Sequence, residues 1–319
     1  SISYAGCRRE NGIMKEKMNE FIDICKKSQM TLKLFLKKRL SDYYDNVVSE
    51  NGFLYAKGDV PILLTAHMDT VHKENVQNVV VNDDIITSPQ GIGGDDRCGV
   101  YIILKILEKG YRPSILFCED EEVGGIGSNK FIKTKYMKEL CDLKFFVELD
   151  RANANDAVFY DCGNEEFQQF IESTTGYKTA FGSFSDISHL SPVTDVASVN
   201  LSCGYYKAHT TGEYVVFSEM ENTIEIVEKL CGLNYADVKK YDYQKVSYNY
   251  YGYGNYYNRY LRDDDITYLI IYQEYDSDND RWDEKYSTVT GRSFRECLGI
   301  FFLDHKNICF EDVLDYYEI

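Results

Sequence analysis

Five separated side chains of the sequence have the residue types that bind zinc: His67, Asp95, Glu122, Asp150 and His209. Imidazole and carboxylate groups are ordinary zinc ligands, and a catalytic zinc keeps one coordination position open for water. Two zinc ions that share a bridging carboxylate need about five protein ligands and lie roughly 3.5–4 Å apart. The chain therefore contains candidates for a complete two-metal centre.

The first two candidates lie in short local motifs. His67 follows the apolar run VPILLTA, and Asp69 lies two residues further on, where its carboxylate reaches the far imidazole nitrogen and fixes the tautomer. Asp95 lies in the glycine-rich segment GIGGDDRCGV, at the start of a predicted helix. A lone H-x-D pair is usually an accident, and an Asp at a helix start is usually a cap. Only the whole set indicates a metal centre.

A run of four acids, Glu119-Asp120-Glu121-Glu122, directly follows the apolar run SILFC. Adjacent carboxylates repel one another unless cations neutralise them, although a solvated acidic loop is the alternative reading. Two neighbouring acids also suit a division of labour. Glu122 binds a metal, while Glu121 stays free as a general base beside the water that attacks the substrate.

The last two candidates complete the set. Asp150 lies at the very end of the run LKFFVEL, and ligands of an open α/β sheet gather outside the carboxyl ends of its strands. His209 follows the run ASVNLS and is favoured as the final ligand over His189. Of the other histidines, His72 is expected to line the first loop, and His305 is interpreted as structural.

Apolar runs alternate with stretches of helical periodicity between about residues 60 and 233, which predicts an α/β fold. The runs VPILLTA, SILFC, LKFFVEL and ASVNLS are continuous, as expected of strands that are buried on both faces. Because helices separate the strands, we expect a mixed, mainly parallel central sheet with helices on both faces. Helical spacing also extends over residues 13–40, and Asn51-Gly52 marks a hairpin turn.

The composition changes from about Ala236. Residues 236–319 hold 15 of the 28 tyrosines of the chain, including the stretch YNYYGYGNYYNRY, so this part differs from the rest. The runs ITYLIIYQEY and CLGIFFL are strand candidates, which indicates a small α+β appendage. We assign the metal centre to a domain of residues 1–235 and leave the role of the tyrosine-rich, acidic appendage 236–319 unknown.

Charge and cysteine usage narrow the function classes. The formal net charge of −17 argues against nucleic acid or an anionic membrane as the main partner. No run of 18 apolar residues predicts a transmembrane helix, and the first residues do not resemble a signal peptide. The ten cysteines form no C-x-x-C pair, which favours buried thiols in a reducing compartment and predicts a cytoplasmic protein.

In this order, the motifs resemble those of the co-catalytic di-zinc exopeptidases. HMDTV resembles the first ligand motif of the family, GGDDRCGV its bridging-aspartate motif, and DEEVGGIGS its base-and-ligand glutamate pair. ELD resembles the next ligand motif, and GYYKAHTTGEYV the final histidine motif, close in wording to peptidase-T-like tripeptidases and tetrahedral-assembly aminopeptidases. The resemblance covers about residues 60–232 and implies a zinc-aminopeptidase-like fold.

The resemblance also implies a role for each candidate ligand. Asp95 would bridge two zinc ions, for which cobalt or manganese are alternatives. His67 and Asp150 would complete one metal site, and Glu122 and His209 the other.

Further expectations concern the groups around the ligands. Asp69 would orient His67, and Glu121 would act as the general base. Ser185-Asp186 resembles an active-site pair of the compact aminopeptidases but receives no role.

The spacing of the ligands indicates a compact catalytic domain. Between Asp150 and His209 there are 58 residues, too few for the additional domain of the tripeptidase and carboxypeptidase relatives. Between His67 and Asp95 there are 27, too few for the domain that the tetrahedral-assembly enzymes insert there.

The expected function is therefore the removal of N-terminal residues from peptides by metal-assisted hydrolysis. A deacylase or other amidohydrolase on the same fold is an alternative, with a small amide as its substrate. A non-catalytic binding module on a peptidase-like scaffold is another. Homo-oligomerisation stays open.

Overall fold

The four continuous apolar runs form adjacent strands in the computed structural model of the chain. The structure describes residues 4–182, 184–245, 266–276, 281–291 and 313–318, together with positions 297, 301, 305 and 308. The chain divides into two units, of which the first comprises Ser1–Ala180 and Ser185–Lys245, and the second Phe181–Phe184 and Val246–Ile319.

The first unit contains eight helices and twelve strands among its described residues. Its helices are α1 (Tyr4–Cys25), α2 (Gln29–Ser41), α3 (Gly94–Glu108), α4 (Ile126–Phe131), α5 (Met137–Leu140), α6 (Glu165–Thr175), α7 (Ile187–Thr194) and α8 (Phe217–Cys231). Its strands are β1 (Val48–Glu50), β2 (Phe53–Ala56), β3 (Val60–His67), β4 (Val80–Asn82), β5 (Ile85–Thr87), β6 (Pro113–Cys118), β7 (Phe146–Arg151), β8 (Asp156–Val158), β9 (Lys178–Ala180), β10 (Ser198–Ser202), β11 (Tyr205–Tyr206) and β12 (Tyr214–Val216).

The central sheet has eight strands in the order β1-β2-β6-β3-β7-β10-β8-β9. The middle strands β6, β3, β7 and β10 are parallel to one another. Strand β2 pairs with β6 in antiparallel orientation. On the other side of the parallel strands, β8 pairs with β10, also in antiparallel orientation. The prediction of a mixed, mainly parallel sheet is therefore confirmed.

Helices cover both faces of this sheet, as predicted. Because successive side chains of a strand point to opposite faces, Leu64 and Leu63 belong to different buried clusters. The Leu64 cluster includes apolar residues of α1, α2, α3, α6 and α8, whereas the Leu63 cluster includes residues of α4, α5 and α7. Helix α3 lies so close to β7 that a Cβ at Gly99 would overlap the carbonyl oxygen of Leu149.

Several elements differ in detail from the sequence-based expectation. The helical stretch 13–40 forms two helices, because the Ser28 hydroxyl accepts a hydrogen bond from the Thr31 amide and so caps the start of α2. Between β6 and β7 the chain forms two short helices, α4 and α5. Between β7 and β10 the structure adds β8, α6, β9 and α7, and α6 begins after the cap residue Asn164 and ends at Gly176 in the left-handed conformation.

A smaller sheet of four strands, in the order β11-β12-β5-β4, lies in the same unit. Strands β4 and β5 form a hairpin, with Asp83 at a positive φ of 52° in its turn. Strand β12 pairs with β5, so that Val215 lies opposite Ile86. This pairing fixes the segment that precedes β12, which contains His209.

The second unit contains a three-stranded antiparallel sheet in the order β14-β13-β15, formed by β13 (Ile266–Asp276), β14 (Arg281–Gly291) and β15 (Val313–Glu318). Strand β13 confirms the prediction for ITYLIIYQEY. Cys297 and Phe301 are helical, so the strand expected over CLGIFFL is wrong at these two positions. The tyrosine-rich stretch 248–260 lies outside the described residues. The contacts divide the chain after Lys245, and the predicted domain boundary at 235/236 stays a prediction.

Two further properties follow from the described residues. None of the helices found there is both long and apolar enough to cross a lipid bilayer. Eight of the ten cysteines are found there as free thiols, and seven of these eight are buried.

Candidate metal centre

The candidate centre lies at the carboxyl edge of the central sheet. His67 is the last residue of β3 and lies opposite Cys118, the last residue of the neighbouring β6. The four acids 119–122 follow Cys118, and Asp150 lies near the end of β7 on the other side of β3. Because these parallel strands end at one edge, residues from three of them meet there, as predicted.

The structure brings all five predicted ligands together around Asp95. Its Oδ1 lies 3.0 Å from Nε2 of His67, and its Oδ2 lies 3.1 Å from Nε2 of His209. His67 Nε2 is also 3.4 Å from Oδ1 of Asp150, and His209 Nε2 is 3.1 Å from Oε2 of Glu122. The contacts thus form two groups, each with one imidazole, and the carboxylate of Asp95 belongs to both.

The donor set fits divalent cations. Ligand atoms of His67, Asp95 and Glu122 lie within 4.8 Å of one another, and so do those of His67, Asp96 and Asp150. Atoms bound to one tetrahedral zinc at about 2.0–2.2 Å are themselves roughly 3.3 Å apart, close to the separations found here. Oε1 of Glu122 is buried and has no hydrogen-bond partner among the described residues, so a cation would satisfy it.

His67 is held on both its side chain and its backbone. The Nδ1–H donates to Oδ1 of Asp69 over 3.1 Å, which leaves Nε2 for a cation. The backbone N–H of His67 donates to Oδ2 of the buried Asp96, also over 3.1 Å. Burial lowers the pKa of the His67 imidazole, but the carboxylates around it outweigh this effect and hold the pKa well above its usual range.

Asp69 does more than orient His67. Its Oδ1 also accepts a hydrogen bond from the Glu121 amide, and its Oδ2 accepts one from the Glu122 amide, both over 3.0 Å. Although burial opposes it, these donors and His67 lower the pKa of Asp69. One carboxylate therefore links the first ligand to the backbone of the segment that carries Glu122.

The run of four acids divides into two pairs with different surroundings. Glu119 accepts hydrogen bonds from the Lys33 ammonium group and the Gly52 amide. Asp120 Oδ1 accepts from the side-chain amide of Gln29 over 3.0 Å, and the Asp120 amide donates back to Gln29 over 3.3 Å. Lys33 thus neutralises Glu119, and Gln29 holds Asp120 by hydrogen bonds, so that only Glu121 and Glu122 are left for the centre.

We expect Gln29→Ala to loosen this segment without unfolding the chain. The substitution removes both hydrogen bonds to Asp120, which are worth about 1 kcal/mol each. The expected results are a loss of about 1–2 kcal/mol in the free energy of unfolding and faster hydrogen exchange at amides 119–122.

Gln168→Ala is the matched control, because Gln168 lies on α6, outside this segment, and donates to the Cys162 carbonyl. Equal exchange at amides 119–122 in both variants would show that Gln29 does not brace the acidic segment.

Glu121 is half-buried, and its carboxylate makes no hydrogen bond within the described part of the chain. Burial raises the pKa of Glu121 to about 9, His67 opposes the rise, and the neighbouring carboxylates Asp150, Asp186 and Glu122 add to it. Positive charge in the centre would offset these effects and favour the ionised form. The side chain therefore has the freedom that a proton-transferring group needs.

Asp150 is held by Ser185, Tyr205 and Asn200, none of which belongs to the predicted ligand set. Ser185 donates its hydroxyl to Oδ2 over 3.0 Å, and the Tyr205 hydroxyl donates to the Asp150 carbonyl over 3.1 Å. The Asn200 side chain both accepts from the Asp150 amide and donates to its carbonyl. Burial raises the pKa of Asp150 to about 7, although His67 opposes the rise. Ser185 was noted in the sequence, but its partner became apparent only in the fold.

His209 is the exposed member of the centre. Its side chain is 57% exposed, whereas those of His67 and Asp150 are 1% and 9% exposed. Hydrogen bonds to Asp95 and Glu122 raise the pKa of His209 to about 11. The cluster is thus accessible to a substrate from the side of His209.

The remaining histidines of the first unit lie outside the ligand cluster. Nδ1 of His189 is 2.9 Å from the Ser128 hydroxyl and 3.1 Å from the side-chain nitrogen of Asn129. Nε2 of His72 lies 2.8 Å from Oε2 of the fully buried Glu213. The preference for His209 over His189 therefore agrees with this geometry, whereas Glu213 was missed, although it lies only four residues after His209.

Comparisons with known proteins agree with this geometry. Residues 54–189 match the model of Peptidase family M28, a range that includes His67, Asp95, Glu122 and Asp150. No curated protein matches the chain at a significant level.

Solved structures share the fold. An aminopeptidase PepT from Bacillus cereus is 16% identical with a TM-score of 0.55, and the match covers 68% of this chain and 98% of that one. A tripeptidase from Staphylococcus aureus is 16% identical with a TM-score of 0.54, covering 69% and 99%. The TET1 peptidase from Pyrococcus horikoshii is 14% identical with a TM-score of 0.52, covering 68% and 99%.

Residues 54–189 therefore match a peptidase family, and the chain shares its fold with solved structures of an aminopeptidase and a tripeptidase. The resemblance to the co-catalytic exopeptidases that the motifs indicated is thereby confirmed.

Proposed function

We propose that the chain removes N-terminal residues from peptides with the help of two divalent cations, zinc in the native protein. The observation that best supports this proposal is the position of Asp95. Its two carboxylate oxygens lie 3.0 Å and 3.1 Å from the imidazole nitrogens of His67 and His209, respectively. A carboxylate that faces a different imidazole with each oxygen has the arrangement of a ligand that bridges two cations. Asp150 would complete the site of His67, and Glu122 that of His209.

Bound cations would supply Lewis acidity toward the scissile carbonyl and toward a water molecule. The chain itself supplies the proton transfer. Glu121 accepts a proton from the attacking water and returns it to the leaving amine, a role for which its unpaired carboxylate is suited. Asp69 holds the backbone of Glu121 and Glu122 beside His67, so that base and ligand keep a fixed relation.

Blocking the substrate's amino terminus tests the exopeptidase proposal. A free aminoacyl anilide should be cleaved, and its N-acetylated form should react at least about 1000-fold more slowly, since the α-amine must bind in the centre. Equal rates on both substrates would instead identify a deacylase or another amidohydrolase.

The cation content of the purified protein tests the third alternative. Fewer than one cation per chain would favour the non-catalytic binding module.

Location and assembly are part of the proposal as well. The free thiols of the described cysteines support a reducing compartment, and we place the protein in the cytoplasm on that basis. The Pyrococcus TET1 peptidase can assemble into a tetrahedron or a large octahedral shell, and size determination in solution would test whether this chain also forms homo-oligomers.

A further inference from the structure

Glu213 is a fully buried carboxylate that has no part in the reaction described above. Its Oε2 accepts hydrogen bonds from the Gly93 amide and from Nε2 of His72, both over 2.8 Å. Its Oε1 accepts from the amide of Asp95 over 3.0 Å. Burying a carboxylate is costly unless donors compensate it, and here three donors converge on one group.

The main chain of Glu213 is fixed on both sides, so its carboxylate has a defined position. Its amide donates to the Thr210 carbonyl over 3.1 Å, which closes the turn after His209. Its carbonyl accepts from the Thr87 hydroxyl over 2.9 Å, next to the pairing of β12 with β5. The turn and the small sheet thus aim the side chain at the glycine-rich segment 91–95.

The glycine-rich segment 91–95 packs closely against His72 and Glu213. A Cβ at Gly91 would overlap the imidazole ring of His72, and Gly91 and Gly93 have positive φ values of 84° and 67°. A side chain at Gly91 would therefore push His72 away from Glu213. Glycine at this position allows the backbone approach that delivers the amides of Gly93 and Asp95 to one carboxylate.

Three ligand-bearing segments meet at this carboxylate. His72 lies five residues after His67, the amides belong to the segment of Asp95, and Glu213 itself lies four residues after His209. We propose that Glu213, together with His72, is a positioning residue that holds Asp95 between the two cation sites. This inference rests on the proposed function, since it assigns Glu213 to the assembly of the two-cation centre.

The test is the cation affinity of Glu213→Gln. The amide has nearly the same shape, but its NH2 group must face at least one of the three donors. Substitution of a residue that hydrogen-bonds to a metal ligand typically weakens cation binding about 10–100-fold. We expect a loss of affinity in this range, about 10–100-fold, for the more weakly bound zinc ion of the variant. The zinc affinity can be measured without relying on turnover. The methods are zinc stoichiometry after dialysis at defined concentrations of free zinc, and competition with a chelator.

A milder variant keeps the inference testable if Glu213→Gln does not fold. His72→Leu removes one of the three donors and should weaken the same zinc site by a smaller factor, roughly 3–10-fold. Glu228→Gln is the control, because Glu228 lies on α8 and pairs with Lys109 at the surface. At low free zinc, kcat of the variants at positions 213 and 72 should fall with little change in KM, and excess zinc should restore it.

The outcomes separate this inference from the proposed function. If wild-type protein binds two zinc ions and Glu213→Gln binds both with unchanged affinity, Glu213 has no positioning role. If wild-type protein itself fails to bind two cations, the proposed function fails first. Two zinc ions in the wild type, with selective weakening of one in the variants, support the inference.

Discussion

Glu121→Gln should keep two bound cations and lose about 100- to 10,000-fold in kcat, the range associated with removal of a general base. The amide side chain has nearly the same shape as the carboxylate but cannot accept the proton of the attacking water. The backbone at this position is held by Asp69, whose Oδ1 lies 3.0 Å from the Glu121 amide, so the substitution leaves the ligand segment in place. Turnover of an aminoacyl anilide and cation content per chain measure the two effects separately.

Asp120→Asn is the matched control for this experiment. It removes the same formal charge one residue earlier, and its side-chain oxygen can still accept the hydrogen bond from Gln29 that Asp120 accepts over 3.0 Å. Asparagine also tolerates the positive φ of 59° found at this position. We expect activity within about twofold of wild type. Wild-type turnover by Glu121→Gln would refute the base assignment, and loss of a cation would reassign Glu121 as a ligand.

The sequence was sufficient for the parts of the centre that depend on strand ends. His67, Glu122 and Asp150 follow continuous apolar runs, and parallel strands bring their carboxyl ends to one edge whatever the details of the connections. Asp95 and His209 could be predicted only from the sequence motifs around them, because neither residue lies at the end of a central parallel strand. Their meeting is a tertiary property that local periodicity does not contain.

The supporting contacts were not predictable for the same reason. Gln29 and Asp120 are 91 residues apart in the chain, and Gly93 and Glu213 are 120 apart. Each residue has an ordinary local explanation, such as a helix start or an acidic turn, and only the fold shows its partner. The same limit applies to CLGIFFL, since a short apolar run fits a strand as well as a buried helix, and Cys297 and Phe301 are helical.

His67→Ala tests the metal centre from the ligand side. Nε2 of His67 lies 3.0 Å from Asp95 and 3.4 Å from Asp150, so its removal takes the imidazole from one of the two ligand groups. We expect the cation content to fall from two per chain to one or fewer and kcat/KM to fall at least about 100-fold. Elemental analysis after gel filtration measures the first quantity, and anilide hydrolysis measures the second.

His189→Ala is the control, because His189 was the other candidate for a histidine ligand and contacts Ser128 and Asn129 instead. It should retain both cations. Two cations in His67→Ala, or the loss of one in His189→Ala, would show that the ligand set is wrong.

Thermal unfolding gives an independent measure of the same site. A ligand that binds only the folded chain, present at about 1000 times its dissociation constant, stabilises the fold by about 4 kcal/mol. Zinc should therefore raise the melting temperature of the wild type much more than that of His67→Ala. The buried carboxyl groups of the centre give a second reason to expect stabilisation by zinc. Burial and the like charge of neighbouring carboxylates raise the pKa values of Asp96 and Glu148 well above the usual range when no cation is bound. Bound cations relieve that repulsion, so a chain that has lost His67 should also lose most of the stabilisation by zinc.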